Sequence, residues 1–498
     1  MADNIVFDTI PSDTPLGGIF LEIDPSRALE GPVAVERKVL LMGQKLDSGT
    51  TPLLTPRRIT SAQDAEIQFG RGSMLHRMAL GMQAVFDEVG FLDVSAIALE
   101  DTGVAASATI TVAGQAIESR VLNLYIAGEQ VQVVVASGED AAAIAKKINT
   151  VLAARTDLPV SSAVEDKVVT LTARNKGETG NGMEVAWQYF DDDRLPRGIT
   201  VTISGGSNGV GALSGGSGAP DVSAALAAVD EQWFYTIISP YTDQNNLAKI
   251  EADMNGRWGG MNMKTGHVFN ALNGTHAELT TFGNKRNSAH GSGWGLKGCP
   301  TWAPVRATCF GLTCQYYGNQ DPALPLKAVK VPGVRAPRLQ DRFNYGERTL
   351  LVRDGISTTT VNAAGEVYLE RVVTYYQQNA LGLDDTSLSS LEAKWTVDYY
   401  RYQVRARIAL RFPRHKLVND GTNIGPGQKF VTPQMISDEI TALERDLEEM
   451  GIVEDVDTSK KNRLVLRSKT DPDRVNAVLP PNLVNQFRTF AAVVQYRL

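Results

Sequence analysis

The stretch WFYTIIS, Trp233–Ser239, is apolar at nearly every position. A strand with one wet face alternates apolar and polar residues, whereas a strand covered on both faces reads as a continuous apolar run. Strands of that kind sit in parallel sheets clothed by helices, so the surroundings of this stretch decide the fold. Downstream, the pattern gives a helix around Leu247–Met254, the run HVFNAL (His267–Leu272), then helices around Thr275–Lys285 and Ala303–Cys314. Strand and helix in alternation imply a parallel sheet covered by helices. Upstream, Ser73–Gly90 reads as a helix capped by Ser73, with Met74, Met78, Met82, Val85, Phe86 and Val89 on one stripe, a core-filling pattern. Residues 26–98 and 205–345 are thus expected to form one α/β core.

Between them the texture changes. Residues 99–204 are rich in Ala, Val and Thr and lack cysteine. Alternation marks strands at Ile110–Val112, Leu122–Ile126 and Val131–Val135, and the runs DKVVTLTAR, GMEVAWQYF and GITVTISGG supply three more candidates. A helix carrying Ala141, Ile144, Ala145, Ile148 and Leu152 falls among them. This reads as an inserted β-rich surface domain, closed by GGSNGVGALSGGSGAP, whose Gly/Ser content reads as a flexible linker. Residues 346–484 read as an α+β unit. Paired strands flank the turn NAAG, and a long helix with Leu391, Trp395, Tyr399, Tyr402, Ala406, Ala409 and Leu410 on one stripe stops at Pro413. A second helix opens at Thr432 and Pro433 and carries Ile436, Ile440, Leu443, Leu447 and Met450. The first helix bears Lys394, Arg401, Arg405, Arg407 and Arg411 off its stripe. The second bears Asp438, Glu439, Glu444, Asp446, Glu448 and Glu449, and complementary faces of this kind meet each other or a protein partner.

Both ends read as arms. In residues 1–25, Ile19, Leu21 and Ile23 alternate within a Pro/Gly-interrupted segment. In residues 485–498, Phe490, Ala492, Val494, Tyr496 and Leu498 share one face of a strand. A strand apolar on one side requires a sheet to join.

Chemistry is sparse. The 498 residues are 43% hydrophobic and 21% charged with net charge −7, the profile of globular domains, about three by length, and unfavourable for a general nucleic-acid binder. No apolar run is long enough to span a membrane, and MADNIVFDTIPSD lacks the basic and apolar regions of a signal peptide. Cys299, Cys309 and Cys314 are spaced for buried thiols rather than for zinc. No Gly-Lys pair occurs, which excludes a phosphate-binding P-loop, and no HExxH or EF-hand pattern is present. NGTHAEL, Asn273–Leu279, is similar to the histidine segment of subtilisin-like proteases, but no Gly-Thr-Ser nucleophile segment follows it. His276 then reads as a first-turn residue of a helix capped by Thr275, and His76, His267, His290 and His415 form no spaced cluster. No catalytic, cofactor-binding or metal site is expected; a soluble serine hydrolase with an appended β-rich binding domain is the alternative.

Three segments taken together carry a family resemblance: LLVRDGISTTTVNAAGEVYLERVVTYYQQNALGLDD, WTVDYYRYQVRARIALRFPRHKL and DPDRVNAVLPPNLVNQFRTFAAVVQYRL. With the opening FDTIPSDTPLGGIFLEID, they resemble the tail sheath proteins of contractile-tailed, Mu-like bacteriophages. The resemblance implies a non-enzymatic structural subunit with a core of subtilisin-like architecture that has no catalysis. It implies homo-oligomeric six-fold rings stacked around a tail tube protein, between a baseplate and a tail terminator protein, in a virion assembled in the host cytoplasm. Contraction would drive the tube through the host envelope, and the related sheath of a phage-derived contractile particle, such as a tailocin, is the alternative setting. The arms at Ile19–Ile23 and Phe490–Leu498 would complete neighbours' sheets, and Arg401, Arg405, Arg411, Asp438, Glu439 and Glu448 would form a charged contact surface. Neither nucleic acid nor membrane insertion is implied.

Overall fold

The computed structural model describes residues 37–497 apart from Asp191, Ile424 and Pro426, so the expected arm at Ile19, Leu21 and Ile23, and Leu498, lie outside the described residues. The described residues divide into two compact units, 37–394 and 395–497.

The first unit is built on an eight-stranded mixed sheet. Its strands are β1 (Lys38–Gln44), β2 (Arg57–Arg58), β3 (Val94–Leu99), β12 (Phe234–Ile238), β13 (His267–Asn273), β14 (Gly291–Leu296), β15 (Ile356–Val361) and β16 (Val367–Arg371). They lie in the order β16-β15-β14-β13-β12-β1-β3-β2. The six central strands run parallel, and β2 and β16 are antiparallel edges. All five residues of β12 are buried, as its apolar run requires.

Helices cover both faces. Val222, Ala225 and Leu226 of or beside α4 (Ser223–Ala228) and Ile250 and Met254 of α5 (Gln244–Trp258) pack with Leu40, Met42, Ile237 and Val268. On the other side, α2 (Met74–Glu88), preceded by α1 (Ala62–Phe69), packs on α7 (Ala303–Gln320). There Gly311 allows α7 close approach, since a Cβ at that position would lie 3.0–3.1 Å from Ile238 and Phe269. The methionines of α2 are fully buried, confirming them as core. Helices α6 (His276–Gly283) and α8 (Tyr345–Arg353) close the sheet near β15, around Leu272, Leu279, Leu351, Ile356 and Tyr375. The hairpin β15–β16 extends this sheet, so the core sheet runs past the boundary expected at residue 345.

The insert is a two-sheet sandwich. One sheet has the order β10-β4-β8-β7 and the other β11-β9-β5-β6. The strands are β4 (Ser107–Gly114), β5 (Arg120–Ile126), β6 (Glu129–Val135), β7 (Val160–Glu165), β8 (Val168–Ala173), β9 (Glu184–Ala186), β10 (Ile199–Ile203) and β11 (Val210–Ala212), with α3 (Ala141–Ala154) packed on both sheets. The Gly/Ser run is not a linker. Its residues 210–212 are β11, paired with β9, and Ser214 and Ser217 bridge to Ser107 and Val104. Gly209, at φ 78°, turns this segment directly against Trp187, where a Cβ would stand 2.3 Å from the indole. The insert therefore ends near Ser217 rather than at 204.

In the second unit, α9 (Leu391–Arg411) begins within the first unit and continues into this one. It is followed by α10 (Pro433–Glu449), capped by Thr432 with Pro433 at its start, and by α11 (Val456–Asn462). Three two-stranded sheets complete it: β17 (Lys416–Leu417) with β18 (Phe430–Val431), β19 (Val453–Glu454) with β22 (Asn482–Leu483), and β20 (Leu464–Arg467) with β21 (Val475–Val478).

Candidate assembly surfaces

Among the residues that could carry chemistry, His267, Ser292 and the three cysteines are buried, and His276 is half-buried. His267 Nε2 lies 2.8 Å from Ser292 Oγ, but both are fully buried in adjacent strands of the parallel sheet. Burial, reinforced by Lys394 and His290, holds the His267 imidazole well below its ordinary value and so neutral. This pair escaped the sequence reading, because pairing β13 with β14 in register is what joins residues 25 positions apart. His276, at the start of α6, donates from Nε2 to Glu347 O, 3.2 Å away, and Thr275 and Glu278 form a reciprocal cap. The three thiols are buried, and burial pushes Cys309 up to about 12. Among the described residues no group of three His, Cys, Asp or Glu side chains is placed to hold a metal ion.

The charged faces meet within the chain. Arg407 and Arg411 both reach Glu439 at 3.1 Å, and Arg407 also pairs with Asp446. Arg401 lies 3.9 Å from Asp398, one helical turn back, and Glu448 pairs with Arg445 at 2.7 Å. Glu444, expected on an outer face, is buried, as are Thr396, Asp398, Tyr400, Gln403 and Arg407. Ala409 and Leu410, expected on the buried stripe, are exposed. The buried seam of α9 holds Leu391 and Trp395 as expected and otherwise follows polar residues, which apolar periodicity could not reveal. Arg405 and Asp438 remain solvent-exposed.

The carboxyl-terminal segment contrasts with everything before it. Backbone pairing runs to Val484, whose N–H donates to Ile452 O at 3.2 Å. From Asn485 to Arg497 the chain forms no strand in any sheet of the described residues. Phe487, Phe490, Val493, Val494 and Tyr496 are 78, 79, 87, 84 and 80% exposed. The expected strand is thus not completed by the described residues of its own chain. Nearby in sequence, β20–β21 is a hairpin whose outer edges have no strand partner among the described residues, with Leu464, Leu466 and Val478 more than half exposed.

Comparison with known proteins places these features. Residues 215–375 match the model of the phage tail sheath protein central domain, and residues 384–497 match that of the phage tail sheath C-terminal domain. The Mu-like prophage FluMu tail sheath protein of Haemophilus influenzae is 36% identical over 497 residues, spanning 99% of this chain and all of the relative. The chain belongs to the phage tail sheath family. It is a structural protein of a phage or prophage tail. The sheath tail proteins of Listeria innocua and Desulfitobacterium hafniense are structural neighbours at 13% and 14% identity, with TM-scores of 0.48 and 0.45. They cover 92% and 94% of this chain, which in turn spans 94% and 100% of theirs.

Proposed function

We propose that this sheath subunit polymerises through strand exchange, in stacked six-fold rings around a tail tube between baseplate and terminator, and contracts to drive the tube through the host envelope. The single observation that carries this reading is the apolar segment Phe487–Tyr496, whose five large side chains are exposed and which joins no sheet of the described residues. Exposed strands of this kind are completed by adding to another sheet's edge. The β20–β21 hairpin of a second copy offers such an edge, beside exposed Leu464, Leu466 and Val478. A backbone-paired strand is a tether that persists while the globular bodies repack, and repacking between two states is where contraction energy would reside. The arm at Ile19, Leu21 and Ile23 would make a similar link. Arg405 and Asp438, with what Arg401, Arg411, Glu439 and Glu448 leave after their internal pairs, would present charge to a neighbouring subunit or the tube. The core has the architecture of a subtilisin-like sheet put to a structural use, with the insert on the outer surface and assembly in the host cytoplasm.

The test is electron microscopy of the purified full chain. Tubes or rings are the expected result. A monodisperse monomer at every concentration would overturn the reading, and hydrolase activity in it would favour the enzyme alternative.

A further inference from the structure

A two-stranded hairpin is marginal on its own, so something must hold β20–β21 in place. Packing of α10 against β20 is one support. The second is polar. Arg463, the residue before β20, sends its side chain into the unit, where it is 0% exposed and pairs with Glu444, itself 1% exposed. Arg463 Nη1 donates to Ser437 O at 2.8 Å and to Thr441 Oγ1 at 2.7 Å, and Nη2 donates to Glu444. Tyr400 of α9 donates its hydroxyl to the other Glu444 oxygen at 2.7 Å. Ser437, Thr441 and Glu444 are spaced four and three residues apart, so they stack along one face of α10. The guanidinium fork is thereby fixed along that face, and Tyr400 ties the same carboxylate to α9.

A buried ion pair is weak support for stability, because desolvating two charges costs about what their attraction returns, and apolar replacements are often neutral or stabilising. What the pair supplies is direction. An apolar side chain could slide along α10, whereas a planar fork with three fixed acceptors cannot. We infer that the Tyr400–Glu444–Arg463 network sets the orientation in which β20–β21 is presented to a second copy, making Arg463 a positioning residue for assembly rather than a stability element. This rests on the strand-exchange reading above.

The decisive variant is the full chain carrying Tyr400→Phe, Glu444→Leu and Arg463→Met, which replaces the whole network with apolar groups of similar size. Its subunit melting temperature is expected to match or exceed the parent's. Its critical concentration for tube formation, read by sedimentation, is expected to rise tenfold or more. An unchanged critical concentration would overturn the inference. Should the triple variant not fold, Arg463→Lys keeps the charge and removes the fork, and the same rise is expected at retained stability; tubes at the parental concentration would again overturn it. Removing Gln486–Leu498 separates the two ideas. If tubes persist there, strand exchange fails and this inference with it. If tubes vanish there while the network variants assemble normally, this inference alone falls.

Discussion

The inserted sandwich and the carboxyl-terminal segment use similar residues, β-branched and aromatic at alternate positions, to opposite ends. The insert satisfies itself: Val131, Val133 and Val135 are buried in a strand that pairs with β5 and packs on α3. It is also fastened to the core by specific polar contacts. Gln44 donates to Asp101 at 2.8 Å, Asn175 to Lys45 O at 3.1 Å, Tyr189 to Ala336 O at 2.9 Å, and Arg338 grips Glu184 with two bonds of 2.9 Å. The terminal segment leaves its apolar side chains in water. A region completed by its own described residues and one that is not are expected to answer differently to the same perturbation, which separates folding from assembly.

The largest effect concerns where the insert is cut. Val104 and Ser217 exchange backbone bonds of 2.9 and 3.1 Å, so joining Gly103 to Gly218 has only a short gap to close. That deletion is expected to leave a soluble, folded core with a lowered melting temperature, because Arg77 loses Glu129 and Trp302 loses the Thr179 carbonyl. Deleting 99–204 instead strands β11 without its sheet and is expected to yield aggregated protein. Equal soluble yields and equal circular dichroism melts from the two deletions would break the comparison.

The next effect is a matched substitution. Val133→Asp places an unpaired charge in the sandwich and is expected to cost more than about 3 kcal/mol in chemical denaturation. Phe490→Asp is expected to change subunit stability by less than about 0.5 kcal/mol yet abolish tubes. Similar losses of subunit stability from both would mean that the terminal segment packs on its own chain.

The smallest effect sharpens the account of docking. Burial holds the Glu184 carboxyl above its ordinary value, against the pull of Arg338. A raised acid favours the folded state when protonated, so its stabilisation is fully present below the ordinary carboxylate value. It is lost as pH rises from there through the raised one. Glu184→Gln is expected to flatten that segment of the stability–pH curve, measured by thermal melts across the acidic range; an unchanged curve would remove Glu184 from it.

Much of this architecture was legible in the sequence because apolar periodicity reports burial directly. WFYTIIS, the Met74–Phe86 stripe and the Thr432–Pro433 helix start all appear where expected. The Gly/Ser run misled because composition reports flexibility only when no partner exists. Its Asn208-Gly209 pair, a hairpin turn signal, was the local clue to β11. The seam of α9 was illegible for a different reason. Arg407 and Glu444 look like surface residues until tertiary structure brings Glu439 and Arg463 to them. The family resemblance rested on ordered segments, whereas the candidate surface rests on a lack of described partners, which no single sequence displays.

On the proposed strand exchange, the segment from Gln486 onward pairs with another copy's sheet. Electron microscopy of the chain ending at Asn485, beside the full chain at equal concentration, tests it most directly. The expected result is a folded subunit with an unchanged melting temperature and no tubes. Tubes of ordinary length from the shortened chain would contradict the claim.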